Sequence, residues 1–96
     1  MSPLRWLLHS KEFDRMIDDQ IKSVLTEHAK LSVDVSSLTA ETDLYQAGLT
    51  SHASVNVMLA LEDEFDIEFP DAMLKKATFA SVEAIRTAIE QIRDDA

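Results

Sequence analysis

From Phe13 onward the apolar side chains recur as Phe13, Ile17, Ile21, Val24 and His28, with Met16, Leu25 and Leu31 on the flanks. Steps of three and four predict an amphipathic helix I over residues 12–30, with one stripe turned to a core. The pattern then breaks. Between Leu31 and Thr50, apolar residues are scattered at Val33, Val35, Leu38 and Leu44 among Ser, Thr and Asp. A structureless connection of that length is unusual in a small domain unless it packs or works. Leu38 and Leu44 can pin it to the core, and Thr39, Thr42 and Asp43 supply turn and capping chemistry. Gly48 stands just before the next helical pattern, where positive φ lets the chain turn sharply. Helix II is expected from Thr50 or Ser51 to Phe65, its arc of Val55, Met58, Leu59, Leu61 and Phe65 widened by Val57, so that it lies centrally. Pro70 and Asp71 end an extended stretch and open a short helix carrying Ala72, Met73 and Leu74. Ser81 caps the final helix, whose stripe is Val82, Ile85, Ile89 and Ile92. The reading is all-α: a small four-helix bundle, three main helices plus one short helix, with a long loop between helices I and II.

Residues 1–12 carry no clear pattern and are read as an N-terminal extension of unknown role, leaving the domain proper at 13–96. The 96 residues suffice for one core. One Gly and two Pro leave long windows free to be helical. No apolar run is long enough to cross a bilayer, and the stretch around Leu4, Trp6, Leu7 and Leu8 is too short and interrupted for a secretory signal, so a cytoplasmic protein is expected. With no Cys, disulfides, thiolate metal sites and a catalytic thiol are excluded, and any thiol chemistry needs an imported thiol.

Charge changes the picture by position. Acids and bases balance up to Lys30, so the net charge of −9 resides in the remainder. No Lys or Arg falls between Lys30 and Lys75, while Asp34, Glu41, Asp43, Glu62, Asp63, Glu64, Asp66, Glu68 and Asp71 do. Such a field repels nucleic acid and anionic membrane and steers basic protein surfaces toward the middle of the chain.

Conventional catalysis finds little support. His9, His28 and His52 share no metal-ligand spacing, and there is no phosphate-cradling glycine loop. Glu62 and Asp66 lie one helical turn apart, a common arrangement on solvated faces. The acids from Glu62 to Asp71 lack the alternation and mid-loop Gly of a calcium loop. What remains is Asp43-Leu44-Tyr45-Gln46-Ala47-Gly48-Leu49-Thr50-Ser51-His52, followed by Val55, Met58 to Leu61 and Glu62-Asp63-Glu64-Phe65-Asp66-Ile67-Glu68-Phe69-Pro70-Asp71. This run resembles the acyl carrier protein family, in which a loop ends in Gly, two residues follow, and a serine then starts a helix closing in an Ala-Leu-Glu-acid-Glu-Phe-Asp-Ile-Glu-X-Pro-Asp segment. Weaker patterns in the first and last helices extend the likeness over about residues 14–93.

The resemblance implies that a phosphopantetheinyl transferase couples 4'-phosphopantetheine from coenzyme A to the Ser51 hydroxyl. An acyl or aminoacyl group would then be held on that arm as a thioester. The physics of the position agrees: a helix N-terminus favours the negative phosphodiester, and a serine acted on by another enzyme needs no base of its own. No catalytic residue and no metal are expected. The family's acid before the serine is Thr50 here, its Leu after the serine is His52, and Asn56 replaces an acid common on the recognition face. These changes point away from the housekeeping fatty-acid member and toward a specialised stand-alone carrier. Thr50, His52, Val55, Met58, Glu62, Asp63 and Glu68 are the expected partner-docking residues, with rim charges speeding and selecting encounter. The expected partners are the transferase and an acyl- or aminoacyl-activating ligase, one candidate being a ligase related to the catalytic core of aminoacyl-tRNA synthetases, acting on a monomer. Amino acid cargo is preferred over a specialised fatty or polyketide chain, and Met58, Met73 and Phe79 are expected to fill the space between the second and third helices rather than leave it open. An unmodified helical interaction module and a small hydrolase or metal-binding domain are the rivals.

Overall fold

The computed structural model describes residues 11–95, so the expected 1–12 extension falls almost entirely outside them. Three α-helices form the scaffold: α1 (Lys11–His28), α2 (Ser51–Phe65) and α3 (Val82–Asp95). They correspond to the expected first, second and last helices. Helix α1 ends two residues before the predicted position 30, because Lys30 takes a left-handed conformation with φ 51° and turns the chain away.

The short helix is not α-helical. Asp71–Met73 and Lys76–Phe79 are separate 3₁₀ turns, and neither starts on a capping side chain. Five residues from Pro70 to Leu74 cannot close enough backbone bonds to offset the ordering of an α-helical nucleus. A further 3₁₀ turn, Val35–Ser37, interrupts the long loop, with the Asp34 carboxylate accepting from the Ser36 N–H at 3.1 Å.

The core runs through all three helices and the loop. Ile17, Ile21, Leu25, Leu44, Val57, Leu61, Val82, Ile85 and Ile89 are buried to 2% exposure or less. Helix α1 packs against both α2 and α3, so the central helix is α1 and not α2 as its pattern indicated. Helix α2 buries Val57, Leu61 and Phe65, one residue per turn, and leaves Val55 and Leu59 about half exposed on the far side. Clasping α1 to α3, Arg86 Nη1 donates to Asp18 Oδ1 at 3.0 Å and Oδ2 at 2.8 Å, with both side chains mostly buried. The Phe69 and Phe79 rings meet edge to face at 5.3 Å, and the Arg93 guanidinium lies 5.3 Å over the Phe65 ring.

The long loop is held by backbone bonds. Leu44 N–H donates to the Ala80 carbonyl at 2.8 Å, and Glu83 N–H to the Ala40 carbonyl at 2.9 Å, tying the loop to the start of α3. The expected turn chemistry is present: Thr42 Oγ1 accepts from Thr39 N–H at 2.9 Å, and Asp43 Oδ1 from Tyr45 N–H at 3.0 Å. Leu38 and Leu44 are buried as anchors.

Candidate functional site

The loop delivers the chain to α2 through one tight passage. Ser32 N–H and Oγ both donate to the Ala47 carbonyl, at 2.9 and 2.8 Å, pressing the end of the loop onto the segment after α1. Gly48 lies at that contact with φ 113°, and a Cβ there would stand 2.9 Å from Ser32 N. Both the backbone angle and the space therefore require glycine.

Two residues later the helix opens. Thr50 is the N-cap in extended conformation, its Oγ1 accepting from Ala53 N–H at 3.0 Å. Thr50 thus supplies the oxygen that an acid would otherwise supply, without charge. Ser51 is the first helical residue and is exposed, and its hydroxyl has no partner among the described residues. A hydroxyl free at the positive end of a fifteen-residue helix fits an esterifying phosphate. Ser54 tightens the first turn by donating its Oγ to the Ser51 carbonyl at 2.7 Å.

A hollow of about 340 Å³ opens beside Ser51 between α2 and the 3₁₀ turns. Val55, Met58, Leu74 and Phe79 make its apolar wall, while Tyr45, Lys75 and Lys76 stand at its rim. This corrects one expectation: Phe79 is buried and Met58 half-buried, but both line an open slot, and Met73 faces a separate hollow against α3. At the rim the Tyr45 hydroxyl donates to the Lys76 carbonyl at 3.2 Å, and Lys76 Nζ lies 4.8 Å over the Tyr45 ring. Burial pushes the Tyr45 phenol above its ordinary 10.0, the Asp43 carboxylate adds to the rise, and the Ser54 hydroxyl partly opposes it.

The expected docking residues divide. Thr50, His52, Val55, Asp63 and Glu68 are exposed, and Met58 is half-buried against the slot. Glu62 has a structural task, since its Oε2 accepts from the Phe69 N–H at 2.9 Å and fixes the turn leaving α2. Tyr45, Ser54, Lys75 and Lys76 were not among the site residues expected from the sequence. The meeting of Tyr45 with Lys76 joins residues 31 apart, and no local pattern announces it. Among the described residues no group of three or more His, Asp or Glu could hold a metal ion, and no helix is long and apolar enough to cross a membrane.

Residues 19–89 match the family described as "Phosphopantetheine attachment site". The chain is 45% identical over 74 residues to the aminoacyl carrier protein of Agrobacterium fabrum, covering 77% of this chain and 89% of that one. It is 36% identical over 69 residues to aminoacyl carrier protein 1 of Bradyrhizobium diazoefficiens, covering 72% of each. Among solved structures, it superposes with TM-score 0.77 and 42% identity on a chain of an engineered Bradyrhizobium japonicum glycine:[carrier protein] ligase complexed with a carrier protein from Agrobacterium tumefaciens and ATP. That match covers 79% of this chain and 99% of the other. A chain of the Bradyrhizobium japonicum ligase complexed with glycylated carrier protein matches with TM-score 0.59 and 35% identity, covering 78% of this chain and 95% of the other.

Proposed function

The chain belongs to the phosphopantetheine attachment site family, and from that premise we propose that it carries an aminoacyl group as a thioester on a 4'-phosphopantetheine arm at Ser51. The arm supplies the thiol that this Cys-free sequence lacks. The observation that carries the reading is the division of labour at the start of α2, where Thr50 holds the cap and Ser51 projects a free hydroxyl. When a phosphopantetheinyl transferase acts, a phosphoester bond forms at Ser51 Oγ, the pyrophosphate bond of coenzyme A breaks with adenosine 3',5'-bisphosphate as the leaving group, and the hydroxyl proton passes to that enzyme. The chain is then a substrate of other enzymes and not itself a catalyst. The carrier domain is the 13–96 unit.

Amino acid cargo is supported by the relatives: both are named aminoacyl carriers, and related chains occur in complexes with a glycine-activating ligase. An amino acid:[carrier protein] ligase is therefore the proposed loading partner, meeting the monomer through the exposed His52 and Val55 near Ser51 and through the exposed Asp63 and Glu68 at the other end of α2. Incubation with coenzyme A and a phosphopantetheinyl transferase, followed by intact-mass measurement, tests the assignment. One added arm is expected, and none on Ser51→Ala; an unchanged mass for the native chain, or an arm on the variant, rejects the site.

A further inference from the structure

The slot beside Ser51 differs by its charge from three other hollows among the described residues. The chain holds 18 acidic residues against nine basic ones, yet no carboxylate lines this slot, and two lysines do. Those three hollows differ: the one between α1 and α2 has Glu27, Asp63 and Glu64 on its walls, the one against α3 has Glu83 together with Lys75, and the one under the loop has Asp43. Lys75 and Lys76 are also the first cations after Lys30. Asp43, the carboxylate bearing on Tyr45, is engaged by the backbone N–H groups of Tyr45 and Gln46 at 3.0 and 3.4 Å and lies outside the slot's lining.

From this we infer that the slot sorts cargo by charge, with Lys75 and Lys76 as specificity-determining residues: it takes a neutral acyl end and refuses one bearing an α-ammonium group. The inference rests on the carrier reading of Ser51. The apolar wall of Val55, Met58, Leu74 and Phe79 gains by covering hydrocarbon. An ammonium group there loses its hydration without a carboxylate to replace it, and meets two like charges at the rim. Lys76 is held in place by its seat over the Tyr45 ring. At about 340 Å³ the slot is near the small end of ligand pockets, which span roughly 300–1,000 Å³, so one short branched chain fits. An aminoacyl thioester therefore stays in solvent, where the next enzyme meets it without first extracting it.

The pair 4-methylpentanoyl and leucyl separates charge from shape, because the two differ only by the α-ammonium group. Each is installed on the full chain as a hydrolysis-stable pantetheine analogue, and intact mass verifies the arm. Methyl NMR signals of Val55, Met58 and Leu74 are then compared with those of the protein bearing an unloaded arm. The neutral cargo is expected to shift these signals and leucyl to leave them in place. In the charge-reversed variant Lys75→Glu with Lys76→Glu, both residues being exposed, leucyl is expected to move the same signals. Equal effects of the two cargoes on the native chain, whether both shift or neither, overturn the inference. So does a contrast that survives charge reversal, since desolvation alone would then account for it. Failure to attach any arm is a different result, read from the mass, and it removes the carrier reading along with this one.

Discussion

At Gly48 a single hydrogen atom decides whether the loop can reach the helix. Replacing it with Ala puts a Cβ against Ser32 N at 2.9 Å and holds φ at 113°. The expected cost is about 1–3 kcal/mol of stability, measured by urea unfolding at constant m-value. Tyr45 gives a second test at this scale. Its phenol titrates higher in the folded chain than its ordinary 10.0, so the folded state resists the loss of that proton. Stability from this source is complete below pH 10 and falls as pH rises through the folded value. Alkaline unfolding above pH 10 is accordingly expected to be shallower in Tyr45→Phe than in the native chain. Of these residues, Gly48 was legible, as the sole glycine at the foot of a helical pattern. Ser51 was singled out only through the long motif around it, since Thr50 and Ser51 are equally good caps by type and only the backbone geometry assigns the cap to Thr50.

Each helix owes its place to how its stripe meets neighbours. The Asp18–Arg86 clasp joins α1 to α3 where both side chains retain only 19% exposure. Arg86→Ala leaves the Asp18 carboxylate short of its donor, and a loss of about 1.5–3 kcal/mol is expected in chemical unfolding, with Asp18→Ala far from additive in the double variant. Periodicity in steps of three and four was enough to place all three helices within about two residues of their ends. It could not choose among the faces of α2. Val55 and Leu59 are as apolar as Val57 and Leu61, and only the position of α1 decides which pair is covered. The same limit explains the missing short helix: Pro70 and Asp71 are sound opening residues, but the run after them is too brief for an α-helix to form.

At the scale of the whole molecule, nine acids fall between Lys30 and Lys75 with no Lys or Arg among them to oppose them. Exposed charges such as Asp63 and Glu68 contribute little to stability and mainly direct encounters. Loading by a ligase with a basic docking face is therefore expected to slow as ionic strength rises, through a falling association rate with dissociation little changed. Stopped-flow measurement at several salt concentrations checks this. The acidity was plain from composition, and so was its location in the middle of the chain. The basic rim of the slot was hidden, because Lys75 and Lys76 follow the acidic segment in sequence and come to line the same hollow as Ser51 only once the chain has folded.

The Thr50 cap has one last consequence. Since the bond that caps α2 belongs to a neighbour, the proposed esterification of Ser51 would leave that bond in place, and so would its removal. On the proposed reading maturation and architecture would thus be uncoupled, the bare chain being a finished part rather than an unfinished one.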